Sequence, residues 1–212
     1  SETLPLKKRN HFTIYNALPS YIHLRTQTRK FNKEALTVGV VSRLERIKGM
    51  DLVIPAFASA LKRYPAIRLL IVGDGSLTEE MHRQARHYEI ESCIEWTGRQ
   101  EQKQLESLYD KIDILLMPSR SEGFGLTAIE GMARGCVVIA SRTGGLPEVV
   151  KDGEVGLLHR SEDIDDLADK LVYLLDDKKR IEQLSAKALA HVSRFGFEQY
   201  KSAFCNLYQR LF

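Results

Sequence analysis

Apolar residues recur along this chain in two alternating rhythms. From Thr37 onward short runs are apolar at nearly every position: TVGVV at 37–41, RLLIV from Arg68 to Val72, CIEW from Cys93 to Trp96, IDILLM from Ile112 to Met117, VVIA from Val137 to Ala140 and GLL at 156–158. Runs of that kind mark strands buried on both faces of a parallel sheet. Between them the spacing turns helical. Leu52, Ala56, Phe57, Ala60, Leu61 and Tyr64 form one stripe, with Pro55 admissible because it falls near the helix start. Ser76 and Glu79 spell a capping box ahead of Met81, Ala85 and Tyr88, and Leu105, Leu108 and Tyr109 mark the next helix. Strands alternating with helices predict an α/β fold, a Rossmann-like parallel sheet of about six strands with helices on both faces.

Three helices are expected beyond the sheet, over Ile164–Leu175, Lys179–Val192 and Phe197–Leu211. The last has an unusual apolar load in Phe197, Tyr200, Phe204, Leu207, Tyr208, Leu211 and Phe212, and some of that face needs a partner. At 212 residues the chain suits one domain, or one domain plus a segment. Hydrophobic content of 43% and charged content of 28% are ordinary for a soluble domain, and no apolar run reaches the length of a membrane span. No secretory leader is visible. Cys93, Cys136 and Cys205 are odd in number and too scattered for a metal or redox motif, which makes a reducing, cytoplasmic setting the expectation.

Charge changes the picture at one end only. Residues 1–33 hold seven Lys/Arg against one acid, while the rest carries 24 against 27. A basic lead segment can favour an acidic partner or an anionic lipid surface, such as the inner face of the plasma membrane. A solvated linker accounts for it equally well. Aromatic residues do not interleave with these charges, so no nucleic-acid partner is expected.

Candidate chemistry concentrates in SEGFGLTAIEGMARG, residues 121–135, where Glu122 and Glu130 flank a small-residue turn that opens a helix. A helix N-terminus presents unpaired N–H groups and partial positive charge, and Gly123 and Gly125 permit close approach to the main chain. That combination reads as a diphosphate cradle. Eight residues of helix rise about 12 Å, the scale of a sugar joined through a diphosphate to a ribose, with Glu122 placed in the loop. Far upstream, Arg43 and Lys48 follow the strand TVGVV and emerge at its carboxyl end, where open parallel sheets bind ligands and phosphates need cations. Each signal has a plain reading beside it. Loop cations are usually surface charges, and helix starts favour acids with or without a ligand.

Weaker signals stay open. Gly98 and Arg99 follow a strand at the same sheet edge and either border a base or only turn the chain. Gly73-Asp74-Gly75 lacks the third glycine of a dinucleotide fingerprint, so a tight strand-to-helix turn explains it better. Gly144-Gly145, with Glu148, either brings a second loop to the site or is a simple turn. Asp163-Ile164-Asp165 opens a helix, where acids complement the dipole, and histidines 11, 23, 82, 87, 159 and 191 show no metal spacing.

Taken in order, Arg43 with Lys48-Gly49, IVGDGS (Ile71 to Ser76), WTGR (Trp96 to Arg99), MPSRSEGFGLTAIE (Met117 to Glu130), GGLPEVV (Gly144 to Val150) and DGEVGLL (Asp152 to Leu158) resemble the retaining glycosyltransferases of family 4. The resemblance is to the C-terminal, nucleotide-sugar-binding half of their GT-B fold. It implies a donor domain over 34–212 with a C-terminal crossover helix. Residues 1–33 become an interdomain segment and the end of an N-terminal domain that is absent here, with Phe12–Leu18 as that domain's closing strand and turn.

By the same resemblance Arg43, Lys48 and Glu122 serve catalysis. Arg43 and Lys48 meet the donor's diphosphate, Glu122 the hydroxyls of the transferred sugar, and Glu130 the ribose. The N–H groups of Phe124, Gly125, Leu126 and Thr127 face phosphates and sugar, and Arg99 borders the base. The implied donor is a UDP- or GDP-sugar, and no cofactor or metal is expected. The DxD string of metal-dependent glycosyltransferases belongs to a different fold. The acceptor, a glycan or lipid-linked molecule of polysaccharide biosynthesis, would bind the absent domain, so this half alone is expected to bind without turnover. Gly131 and Val137 depart from the Ala and Pro usual at their places, without touching the polar groups. Two other readings share the same cradle: half of a nucleotide-sugar epimerase, and a non-catalytic nucleotide-binding module.

Overall fold

The computed structural model describes residues 12–31 and 35–211. Six strands, β1 (Thr37–Val41), β2 (Arg68–Val72), β3 (Ile94–Gly98), β4 (Ile114–Met117), β5 (Val137–Ser141) and β6 (Gly156–His159), make one all-parallel sheet in the order β3-β2-β1-β4-β5-β6. The chain builds outward from β1 to β3, returns to pair Val38 of β1 with Ile114 of β4, and builds outward again to β6. A crevice opens at the carboxyl ends of strands where such an order reverses, here between β1 and β4. The sheet is thus the one its apolar runs predict. Two strand starts move inward, because Cys93 belongs to a 3-10 turn and Ile112 precedes its strand.

Helices α1 (Val53–Arg63), α2 (Thr78–His87), α3 (Gln102–Lys111), α4 (Leu126–Ala133), α5 (Leu146–Val149), α6 (Ile164–Leu175), α7 (Lys178–Val192) and α8 (Phe197–Leu211) fill the connections. Alternate strand residues face opposite layers. Val38, Val40, Leu69, Ile71, Ile114 and Ile139 pack with α1, α2, α6 and the start of α7, whereas Leu70, Val72, Leu115, Val138 and Ala140 pack with α3, α4, α5 and the end of α7. Gly39 alternates onto the second face, where a Cβ would overlap the Ile112 side chain.

Caps show where local pattern and structure part. Asp163 caps α6 by accepting from the Asp166 N–H, Asp177 caps α7, and Glu101 with Gln104 forms a capping box on α3. The box expected from Ser76 and Glu79 does not form. Leu77 takes the N-cap place of α2, and the Ser76 hydroxyl donates instead to Glu45 Oε2 at 2.6 Å, a charged acceptor brought near by the loop after β1. Asp74 holds that turn, accepting from the Gly75 N–H and the Thr78 hydroxyl.

The lead segment also differs from expectation. Phe12–Leu18 contains no strand. Residues 12–31 run instead along α3 and α4, tied by Leu18 N–H to the Phe195 carbonyl and Arg25 N–H to the Ala133 carbonyl, with Ile22 and Phe31 buried. Arg29 is buried too. Its guanidinium donates to the carbonyls of Asp110 and Ile112 and pairs with Asp113 at 2.9 Å, as a buried charge requires. The solvated-linker reading therefore fails for this stretch, whose Arg25 and Arg29 both face carboxylates. Lys7, Lys8, Arg9 and Lys33 lie outside the described residues. At the other end Phe197, Phe204 and Tyr208 of α8 are exposed. Among the described residues no helix is long and apolar enough to cross a membrane.

Candidate functional site

Lys48 ends a 3-10 turn, Arg46–Lys48, in the loop that leaves β1. Gly49 follows at φ 67°, pressed so closely on Pro118 that a Cβ would overlap its carbonyl oxygen. The loop leaving β4 is laced onto this one. Arg120 and Ser121 donate their N–H groups to the Ile47 carbonyl, and the Arg120 guanidinium forks onto Asp51 at 2.7 and 2.9 Å while also reaching the Arg46 carbonyl. Lacing two loops across the switch point has a chemical result. Lys48 Nζ meets Glu122 Oε2 at 2.8 Å, with only 23% and 16% of the two side chains exposed.

Past Glu122 the chain turns through Gly123, Phe124 and Gly125, and Gly125 at φ 98° is the N-cap of α4. The N–H groups of Leu126 and Thr127 precede the first main-chain bond of that helix, from Ala128 to the Gly125 carbonyl, so they remain as donors. The Phe124 side chain packs rather than reaching outward, stacking on Tyr15 at 5.8 Å and meeting Phe195 edge-on. The Gly144-Gly145 loop lies directly on the turn. Gly145 N–H donates to the Glu122 carbonyl at 3.0 Å, and a Cβ at Gly144 would overlap that same oxygen.

Beside the turn, a cavity of about 550 Å³ opens at the carboxyl ends of β1, β2 and β3. Arg43, Arg99, Thr127 and Glu130 line it together with Tyr21, Gly73, Asp74 and Gly75. Glu130 is only 5% exposed. Its Oε1 accepts from the Tyr21 hydroxyl at 2.7 Å and its Oε2 from that of fully buried Tyr109 at 2.6 Å. Burial first, and then the hydrogen bond and charge of Glu130, push the Tyr21 phenol well above its usual pKa; burial and the Glu130 charge do the same to Tyr109. Both stay neutral donors.

The structure therefore sorts the predicted residues into two neighbouring groups. Arg43, Arg99, Thr127 and Glu130 share the cavity, while Lys48 and Glu122 pair with each other next to the turn and do not line it. Arg43 and Lys48, both expected at the donor's diphosphate, thus stand in different groups, Arg43 in the cavity wall and Lys48 at the end of its 3-10 turn against Glu122 of the β4 loop. The sequence reading missed Tyr21 and Tyr109. Tyr109 shows only as a core position on α3, and nothing in the spacing of Tyr21 links it to Glu130. Among the described residues no three His, Cys, Asp or Glu side chains are grouped as metal ligands, and Asp163 is engaged as a cap and with Arg160.

Comparison with known proteins agrees with this architecture. Residues 24–191 match the family model described as glycosyl transferases group 1. Over 177 residues the chain is 35% identical to a D-inositol 3-phosphate glycosyltransferase of Corynebacterium aurimucosum, which covers 81% of this chain and 42% of that protein. The chain therefore spans less than half the length of the curated relatives it matches. The C-terminal domain of a group 1 family glycosyl transferase, LpcC of Francisella tularensis, superposes with a TM-score of 0.72 at 28% identity, covering 76% of this chain and 87% of that one. Anabaena Alr3699/HepE in complex with UDP and glucose gives 0.74 at 25% identity, covering 84% of this chain and 48% of that one. With the doubly wound sheet and the polar residues gathered at its switch point, these matches establish that the chain belongs to the group 1 glycosyl transferases, as the C-terminal part of their GT-B fold.

Proposed function

We propose that this chain is the donor-binding half of a metal-independent retaining glycosyltransferase that moves a sugar from a UDP- or GDP-sugar to a glycan or lipid-linked acceptor. The observation that carries the reading is the junction of the β1 and β4 loops. It sets the Lys48–Glu122 pair beside the unpaired N–H groups of α4, next to a cavity that holds Arg43 and Glu130. Cleaving the bond between sugar and phosphate puts negative charge on the departing diphosphate, and cations and N–H dipoles fixed nearby lower that barrier. Arg43 grips phosphate oxygens through its planar fork, Lys48 adds a compact charge, and Leu126 and Thr127 supply N–H groups. Glu122, oriented by Lys48, accepts from hydroxyls of the sugar. Glu130 accepts from the ribose, with Arg99 near the base. The acceptor attacks from the face that the diphosphate leaves, and the leaving phosphate takes its proton, so no nucleophile on the protein is required.

The acceptor site belongs to a companion domain in this reading, and the exposed aromatic face of α8 packs against it. The three cysteines are free thiols, which suits the reducing cytoplasm. Contact with an anionic membrane surface falls to the lysines of the lead segment. Titration calorimetry with UDP, GDP and NAD tests donor binding, and a preference for NAD would overturn it. Incubating the complete protein with donor, with and without acceptor, tests transfer: sugar altered or released equally in both would favour an epimerase.

A further inference from the structure

The carboxylate of Glu130 is held at both ends. Tyr109 comes from α3, is fully buried and fixes Oε2, whereas Tyr21 comes from the lead segment, stands in the cavity wall and fixes Oε1. A carboxylate anchored through one oxygen can still turn about its last carbon–carbon bond. Anchored through both, it presents a single plane. Ionised, it offers about four acceptor positions, of which the tyrosines take two. The two that remain match in number the neighbouring hydroxyls of one ribose. Tyr21 is itself firmly placed: Ile22 beside it is buried, its N–H bonded to the Pro19 carbonyl, and Arg25 is tied to Ala133 and Asp110.

We propose that Tyr21 is a positioning residue for the nucleoside, its hydroxyl orienting Glu130 so that the carboxylate selects a ribose carrying both hydroxyls. The segment ahead of the sheet thereby builds one wall of the donor site. This inference rests on the donor-binding reading above. It also explains why the segment is anchored by buried Arg29 and Ile22 instead of trailing as a tether.

The test is calorimetric, with UDP and GDP and their 2′-deoxy counterparts titrated into the chain, its Tyr21→Phe variant and its Glu130→Gln variant. The wild type should prefer the ribonucleotide roughly tenfold, the value of one hydrogen bond to a charged group. Tyr21→Phe, which keeps the ring, should bring that preference below about threefold while leaving the affinity for the deoxynucleotide unchanged. A wild type that binds neither nucleotide overturns the donor reading and the inference with it, whereas one that binds the ribonucleotide and deoxynucleotide equally overturns the inference alone. If Glu130→Gln loses the preference while Tyr21→Phe keeps it, the donor reading stands and the role of Tyr21 falls. Equal weakening of both nucleotides by Tyr21→Phe also removes that role, since it would show a general packing effect. Thermal melts of both variants confirm that each is folded.

Discussion

Lys48 Nζ and Glu122 Oε2 meet at 2.8 Å although 74 residues separate them, and the contact is the chemical seam between the loops that leave β1 and β4. Those strands are the neighbours at which the sheet order reverses. An ammonium has three donors and this pair uses one, while Glu122 Oε1 stays available to other donors. The seam therefore orients two opposite charges at once and leaves each with capacity for a ligand.

Lys48→Ala should weaken donor binding by about 1.5–3 kcal/mol, roughly ten- to hundredfold in Kd, because it removes a charge-assisted contact and leaves Glu122 partly buried without its cation. Titration of UDP and GDP against the variant measures this. Affinity equal to wild type would detach the seam from the donor.

Two glycines of the same region should behave oppositely. Gly144 adopts φ 50° and has no room for a Cβ beside the Glu122 carbonyl, so Gly144→Ala should cost at least about 2 kcal/mol of stability. A Cβ on Gly123 meets nothing within 4 Å. Gly123→Ala should leave stability within about 0.5 kcal/mol of wild type and still weaken donor binding. Denaturant melts paired with calorimetry separate the two effects, and equal behaviour of the variants in both measurements would count against a ligand at the turn.

The sheet was legible because strands buried on both faces leave a direct mark, a run of apolar residues with no polar alternation, and VVIA and RLLIV could hardly be placed elsewhere. The turn that opens α4 was legible too, since glycines ahead of a helix carry a geometric meaning of their own. Partners far apart in sequence left no comparable trace. Arg29 reads as a surface charge until the fold supplies Asp113, and Tyr21 reads as part of a linker until α4 carries Glu130 beneath it. The false capping box at Ser76 failed for the same reason: a tertiary neighbour, Glu45, accepts from both the Ser76 N–H and its hydroxyl, in place of the reciprocal bonds with Glu79 that the box needs.

Arg120 is the fastener of the seam, forking onto Asp51 from the residue before Ser121 and Glu122. Arg120→Ala should cost about 2–3 kcal/mol, since it strands a largely buried carboxylate. It should also change the acid limb of stability. Burial opposes ionisation of Asp51, but hydrogen bonds and charge from Arg120 outweigh it and hold the pKa below the usual value. The pair's contribution is therefore present above the unfolded pKa, about 3.9, and is lost as pH falls through the folded one. Without Arg120 burial is opposed by a backbone hydrogen bond to the carboxylate and by the more distant Arg46 at 3.7 Å, and acid unfolding should begin at higher pH. An acid titration followed by circular dichroism shows whether the midpoint moves up.

His159, at the end of β6, should make the fold sensitive to a milder range of pH. The ring is fully buried; Nδ1 donates to the Arg160 carbonyl at 2.7 Å, and Nε2 has no hydrogen-bond partner among the described residues. That arrangement selects the neutral tautomer protonated on Nδ1. A second proton would create an N–H donor and a positive charge with no acceptor in reach, so burial depresses the pKa even though the Arg160 carbonyl and the charges of Asp166 and Asp163 pull the other way. Because the folded state holds fewer protons than the unfolded one in this range, stability rises with pH below the unfolded value of about 6.5, and is lost as acid protonates the unfolded chain. Melting temperature should accordingly fall between about pH 7.5 and pH 5.5, before Asp51 and the other carboxylates titrate. His159→Leu should lose some packing but flatten that part of the curve, because it deletes the titrating group. A slope unchanged in His159→Leu would assign the sensitivity to another residue, with His191 the next to test, since burial and the Arg194 charge lower its pKa as well.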